Sequence, residues 1–292
     1  MTARVPAIVV HGGAGSEPID GRDELRAGMR AAVDAGWTLL RAGAASLDAV
    51  EAAVRVLEDH PRFNAGRGAV LTAEGTVELD ASIMEGDRLR CGAVAAVSGI
   101  ANPIRLARRV LEDGRHVLLV AEGALGFARG HGLPECDPAS LITEVQRGRW
   151  RTRTTETPSG TVGAVALDTR GTMAAATSTG GTAGKQRGRV GDSALIGCGT
   201  YAESTIGGVS CTGTGEAIIR TVLAYRALGF LRDAGDPEYA AKVAVDVLVD
   251  EGEGAGGLIL LDWRGRAGFA CSTSFMPVAW RSPAHADTVL AG

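Results

Sequence analysis

A threonine hydroxyl is a weak nucleophile that needs a base within reach, and one solution is a threonine that becomes an N-terminus and uses its own freed amine. Thr161 is placed for that chemistry. It follows Gly160 at the end of the polar, threonine-rich stretch RGRWRTRTTETPSG, and it opens a strand-like run, Thr161–Leu167. A second run, Thr172–Thr177, follows the short turn Asp168-Thr169-Arg170-Gly171. If that turn sets the register, residues 161 and 178 lie opposite each other, give or take one, which brings Ser178 or Thr179 against Thr161. Three hydroxyls then gather at the sheet end where the polar stretch attaches. Threonine also simply suits strands, so composition alone leaves surface decoration as the alternative.

Two other patterns could hold a substrate. Arg189 and Asp192 stand three apart in the glycine-flanked segment GRVGD. A guanidinium grips a carboxylate and a carboxylate accepts from an ammonium, so together they suit a zwitterion. A weak surface ion pair is the plainer account. Thr212-Gly213-Thr214-Gly215 precedes a helix starting near Glu216, where backbone N–H groups at the positive helix end suit an oxyanion or another anion. An ordinary glycine turn with a threonine cap would look the same. The HGGAG at 11–15 follows a strand but lacks GxGxxG spacing and a following acid, and there is no GxxxxGK[ST]. A nucleotide site would rest on the 42 glycines alone.

These residues need a frame. Ala7–Val10 reads as a buried strand, and helical spacing joins Leu25, Met29, Val33, Trp37 and Leu40, then Leu47, Val50, Val54 and Leu57, with Ser46 as the second helix's N-cap. Ala69–Thr72 and Thr76–Ile83 read as a hairpin and Ala93–Ser98 as a strand. Asn102-Pro103 starts a helix that Gly114 ends, before strand His116–Val120 and a short helix. From about 130 to 160 the pattern lapses into what reads as a mobile linker, the usual place for nicking. Helices are expected at Glu216–Leu231 and, capped by Asp236, at Pro237–Asp250. A closing hairpin then pairs Gly257–Leu261 with Ala267–Ser272. The hairpins imply an α+β protein of largely antiparallel sheets with helices outside.

Composition narrows the function. The 292 residues are 45% hydrophobic and 22% charged, which is ordinary for a globular chain and excludes extensive disorder. No apolar run approaches the roughly 18 residues of a membrane span. The net charge of −4 offers no basic field for nucleic acid. Five scattered cysteines and five histidines show neither CxxC nor HExxH spacing, so reduced thiols are expected rather than disulfides or zinc. The start MTARVPAIVV lacks the long apolar stretch and cleavage site of a secretory signal, and a cytoplasmic protein is expected.

Taken in order, these segments resemble the plant-type asparaginase and isoaspartyl peptidase family of N-terminal nucleophile hydrolases. The resemblance runs through HGGAG at 11–15, FNAGRGAV at 63–70, ELDASIMEG at 78–86 and GTVGAVAL at 160–167. It continues through TSTGG at 177–181, GRVGDS at 188–193, CTGTGE at 211–216 and STSFMP at 272–277. It implies a single-domain, four-layer αββα sandwich whose precursor cleaves itself between Gly160 and Thr161, giving an α chain, 1–160, and a β chain, 161–292. Thr161 is then the nucleophile, Thr179 the threonine that orients it, and Thr212 with Gly213 the oxyanion hole. Arg189 and Asp192 match the holders of the substrate's α-carboxylate and α-ammonium, with Gly215 in the same turn.

The implied reaction converts asparagine, or a β-aspartyl dipeptide, to L-aspartate through an ester on Thr161, without a catalytic cofactor. LEDHPRFNAGR at 57–67 resembles the family's structural sodium loop, implying carbonyl ligands at Leu57, Glu58, His60, Phe63, Ala65 and Arg67, although Arg67 replaces a more usual apolar residue. Asn64 either supports the site from this loop or only folds the turn. A dimer of αβ units is implied. The alternatives are a glycosylasparaginase-like amidase, a threonine aspartase, or an uncleaved scaffold protein, the last opposed by the complete set of site residues.

Overall fold

Ala7–His11 is wholly buried and forms β1, the first strand of the computed structural model, which describes residues 5–18, 20–152 and 160–291. The helical apolar spacing produces α1 (Arg22–Arg41) and α2 (Ser46–Asp59), each burying one stripe. Strands β2 (Leu79–Glu85) and β3 (Arg90–Val97) pair as a hairpin, followed by α3 (Pro103–Asp113), β4 (Leu118–Val120) and α4 (Ala121–Gly130). After α5 (Glu144–Arg151) come the hairpins β5 (Val162–Leu167) with β6 (Met173–Thr179) and β7 (Thr200–Glu203) with β8 (Gly207–Gly213). Helices α6 (Gly215–Thr221), α7 (Leu223–Ala234) and α8 (Pro237–Asp250) lead to β9 (Gly256–Asp262), β10 (Ala267–Cys271), β11 (Val278–Ser282) and β12 (His285–Ala291).

Among the described residues the strands form two sheets, ordered β12-β11-β1-β5-β6-β2-β3-β4 and β10-β9-β8-β7. Neighbours are antiparallel except β3 with β4. Strand alternation explains the layering. On β5, Val162, Ala164 and Ala166 face α1–α3, and on β6 Ala174 and Ala176 join them. Val165, Leu167 and Ala175 instead meet Val9, Ile259 and Leu261 between the sheets. Helices α6–α8 cover the far face of the small sheet through Val209, Cys211, Leu258 and Leu260. The result is the αββα sandwich implied by the sequence.

Several local expectations are corrected. Ser46 is not the N-cap but the first helical residue, and its N–H donates to Asp168 Oδ2 at 3.1 Å. A carboxylate delivered from the β5–β6 turn is a stronger anionic cap than a hydroxyl. Asn102 precedes α3 without a side-chain cap bond, since its amide donates to Asp59 and Glu58 Oε1 accepts the Ile104 N–H. The hairpin expected at 69–83 shrinks to a turn closed by Thr72 and Thr76, while 79–85 pairs with β3 and β6. The turn packs against the 181–188 loop, where Ala73 N–H donates to Lys185 O at 2.8 Å.

The helix expected at 216–231 breaks at Val222, whose φ is 50°. The break turns the Ala224 and Tyr225 N–H groups toward the carbonyls of Cys198 and Gly197, at 3.0 and 2.9 Å. The β9–β10 hairpin does not close the fold, because β11 and β12 extend the large sheet beside β1. Residues 130–152, expected as linker, contain a 3-10 turn at Pro138–Leu141 and α5, whose Gln146 donates to Gly68 O at 2.9 Å. The rest of that linker, 153–159, lies outside the described residues.

Candidate active site

The β5–β6 hairpin pairs Val162 with Ser178, which carries Thr161 opposite Thr179, within the register expected from its short turn. The Thr161 hydroxyl donates to Thr179 Oγ1 at 3.1 Å, and Ser193 Oγ lies 3.5 Å from Thr161 Oγ1. Thr179 Oγ1 also accepts the Gly181 N–H at 2.9 Å. Asn64 locks this corner: its side chain donates to Gly181 O at 2.8 Å and accepts the Val70 N–H at 2.9 Å, while its own carbonyl accepts the Gly180 N–H. That bracing goes beyond folding the 64–70 turn, because it grips the segment after Thr179.

Thr212 and Gly213 end β8 beside the Gly160–Thr161 junction. Thr212 Oγ1 accepts the Ala14 N–H at 3.0 Å, which occupies a lone pair and leaves the hydroxyl proton to be donated elsewhere. Gly213 has φ +145°, and a side chain there would collide with the Ala255 carbonyl. The HGGAG segment lies against the junction: a side chain on Gly13 would run into the backbone of Gly160.

Asp192 is wholly buried, and burial pushes its carboxyl up to about 7. Its Oδ2 has no hydrogen-bond partner, and by carrying no side chain Gly199 leaves room beside Oδ2 and Gly215 beside Oδ1. An ammonium entering there would supply the missing donor and restore the ionised form. Arg189 holds Glu216 through two bonds, Nε to Oε1 at 2.9 Å and Nη2 to Oε2 at 2.8 Å. This guanidinium keeps the Glu216 carboxyl below the usual range. Asp80 anchors the same loop by accepting the Gly191 N–H at 3.2 Å.

A cleft of about 570 Å³ brings Gly160, Thr161, Thr179, Arg189, Asp192 and Gly213 together, with Asn64 on its wall. Thr212 lies behind it through Ala14, and Gly215 lies against Arg189 and Asp192. A threonine hydroxyl, the Gly213 backbone, a guanidinium and a buried carboxyl therefore border one space, an arrangement that suits acyl transfer from a zwitterionic substrate. Sequence reading missed Glu216, Ser193, Asp80 and Ala14 as partners. Glu216 stood in CTGTGE, yet nothing in the spacing from 189 to 216 signals that the two pair.

The 57–67 loop meets that cleft through Asn64. Gly66 and Gly68 have positive φ, and side chains there would meet the carbonyls of Glu58 and Ala101 and of Pro61 and Phe63, respectively. Within the loop the Glu58 carbonyl accepts the Arg67 N–H at 2.7 Å, and the Leu57 and His60 carbonyls accept the His60 and Phe63 N–H groups, both at 3.3 Å, while the Arg67 side chain is exposed. Glu58 is buried, accepts Ser178 Oγ–H at 2.7 Å, and is pushed up to about 8 by desolvation. Among the described residues no three His, Cys, Asp or Glu side chains cluster as metal ligands, and no helix is long and apolar enough to cross a membrane.

Comparison with known proteins agrees with this geometry. The family described as asparaginase matches residues 4–291. The chain is 43% identical over 285 residues to an isoaspartyl peptidase/L-asparaginase of Danio rerio, covering 94% of this chain and 91% of that one. It is 45% identical over 297 residues to a plant-type L-asparaginase of Pyrococcus abyssi, covering 94% and 95%. Against an isoaspartyl peptidase/L-asparaginase of Homo sapiens it is 45% identical over 273 residues, covering 88% of each.

Proposed function

The chain belongs to the asparaginase family, and from that footing we propose that it hydrolyses L-asparagine and β-aspartyl dipeptides after cutting itself before Thr161. The observation that carries this reading is the Thr161–Thr179 hydroxyl pair, 3.1 Å apart, facing Arg189 and Asp192 across one cleft.

In the precursor the Thr161 hydroxyl attacks the Gly160 carbonyl carbon, and the acyl group passes from nitrogen to oxygen. That shift frees the Thr161 amine, and water then hydrolyses the ester, leaving a carboxylate on Gly160 and restoring the Thr161 hydroxyl. In turnover that amine takes the hydroxyl proton as Thr161 attacks the side-chain carbonyl of the aspartyl unit. The Thr212 hydroxyl and Gly213 N–H hold the oxyanion. The proton passes to the leaving group, and ammonia or an amino acid departs. Water then hydrolyses the β-aspartyl ester to L-aspartate. Arg189 and Asp192 grip the aspartyl head, so asparagine and the dipeptides share one site and differ only beyond the scissile bond.

A structural sodium ion held by carbonyls of the 57–67 loop would stiffen the segment that carries Asn64. A dimer of αβ units is supported by exposed apolar side chains at Val117, Leu118 and Val120 along the β4 edge of the large sheet. A cytoplasmic setting is supported by five unpaired cysteines.

Intact-mass measurement of wild type and Thr161→Ala tests the reading, followed by assays on asparagine and β-aspartyl dipeptides. Two chains meeting at Gly160/Thr161 in the wild type only, with aspartate released, are expected. A wild type that stays at 29.9 kDa and releases no aspartate overturns it.

A further inference from the structure

Between two packed sheets, strand alternation should place apolar side chains, and Val9, Val165 and Ala175 obey. Directly beneath Thr161 the same faces turn polar instead. His11 pairs with Gly163 across β1 and β5, and Gly163 pairs with Thr177 across β5 and β6. Ser210 of β8 reaches in from the opposite sheet. A side chain at 163 would collide with both Ser210 Oγ and the His11 ring, so the glycine makes room for this layer.

The layer is a continuous chain of hydrogen bonds between wholly buried groups. His11 Nε2 is 2.8 Å from Ser210 Oγ, which is 2.7 Å from Thr177 Oγ1. Thr200 Oγ1 is 2.5 Å from Thr177 Oγ1 and 2.8 Å from Ser82 Oγ, and Ser82 donates to Ser193 O at 2.6 Å. Ser193 Oγ returns to the Thr161 hydroxyl. At the other end the backbone carbonyl of Thr161 faces the His11 ring. Burial holds His11 neutral, with its pKa near 3, so the ring has one N–H and one lone pair. Ser210 takes Nε2 and no group is hydrogen-bonded to Nδ1, so Nδ1 is the ring nitrogen left to offer its proton to the nearby Thr161 carbonyl.

We propose that His11 is a positioning residue for the nucleophile, accepting the Ser210 hydroxyl at Nε2 and directing its Nδ1 proton to the backbone carbonyl of Thr161. The inference rests on Thr161 being the nucleophile. Once the 160–161 peptide is cut, no preceding peptide restrains Thr161. The torsions about Cα–C and Cα–Cβ then decide where the amine and hydroxyl point. The Thr179 and Ser193 hydroxyls restrain the second, and His11 restrains the first through the carbonyl. The chain through Ser82 to Ser193 also ties this restraint to the peptide that follows Asp192, so nucleophile and ammonium site share one scaffold.

Two amide variants separate the ring's two functions. His11→Asn keeps a donor near the Nδ1 position, whereas His11→Gln keeps an acceptor near Nε2 but no donor at Nδ1. Kinetics on asparagine with the processed enzymes are expected to show kcat for His11→Gln down by about 10- to 100-fold, the range for a misplaced reacting group. KM should stay within about twofold, and His11→Asn should retain clearly more kcat than His11→Gln. Should a variant remain uncleaved, its rate of 160–161 cleavage, followed by intact mass, is read for the same order. Melting temperatures separate positioning from packing, since a merely structural histidine lowers stability without splitting kcat from KM. A Gln variant as fast as wild type, or Asn and Gln variants that fall together, overturns the inference. A wild type that neither cleaves nor hydrolyses asparagine overturns the nucleophile assignment instead.

Discussion

Lowering the pH from 8 to 6 is expected to weaken L-aspartate binding about tenfold through Asp192 alone. Its carboxyl is buried, its Oδ2 is unpartnered, and its pKa is raised to about 7. In the free enzyme about nine-tenths of it is therefore ionised at pH 8 and about one-tenth at pH 6. Only the ionised form pairs with an ammonium, so the inhibition constant of L-aspartate should rise about tenfold, or about 1.4 kcal/mol. Glu216, held below the ordinary range by Arg189, stays charged throughout and adds no slope.

The assay is competitive inhibition of asparagine hydrolysis by L-aspartate and by succinamate, which has asparagine's skeleton without the α-ammonium. Succinamate should not weaken over the same interval, which separates Asp192 from the Thr161 amine titrating nearby. Constants that move together, or an aspartate constant within twofold from pH 8 to 6, would refute the ammonium pairing. Stability runs the opposite way to affinity. With the folded pKa above the ordinary carboxylate value, the native state is favoured by the bound proton, and stability at this site declines as pH rises from about 4 to about 7. Asp192→Asn should therefore melt higher than wild type at pH 8 while losing affinity for aspartate.

Three other substitutions test separate links. Thr179→Ala removes the acceptor of both the Thr161 hydroxyl and the Gly181 N–H; it should slow 160–161 cleavage at least about tenfold by intact-mass time course and cost about 1–3 kcal/mol in urea unfolding. An unchanged cleavage rate would remove Thr179 from the mechanism. Glu216→Gln loosens Arg189; since the glutamate side chain is 57% exposed, the pair is worth about 0.2–1 kcal/mol, and KM for asparagine should rise up to about fivefold with kcat within twofold. Asp168→Ala strips partners from the Ser46, Arg170 and Thr172 N–H groups and should cost about 3 kcal/mol of stability. Because Asp168 sits about 20 Å down β5 from Thr161, processed enzyme should keep its kcat.

Much of the molecule is written locally. The α1 and α2 stripes, the Gly114 stop, the Asp236 cap and the tight β5–β6 turn depend on residues close in sequence, and each forms as its spacing dictates. The same locality made Thr161 legible, because a short hairpin fixes which hydroxyl stands opposite it. Motif order then supplied Arg189, Asp192, Thr212 and Gly213.

What the chain could not disclose locally are partnerships between distant residues. Asp168 displaces Ser46 as the cap of α2 because the fold brings a carboxylate to that helix end. Val222 breaks a periodic helix because the 197–198 carbonyls compete for its N–H groups. Glu216 meets Arg189, and His11 meets Ser210, only when elements far apart in sequence pack together. Side-chain spacing encodes local conformation, since torsions and turns are short-ranged. Protonation and orientation at the site depend on burial and on partners across the sandwich, so the low pKa of His11 and the high pKa of Asp192 exist only once the two sheets have closed.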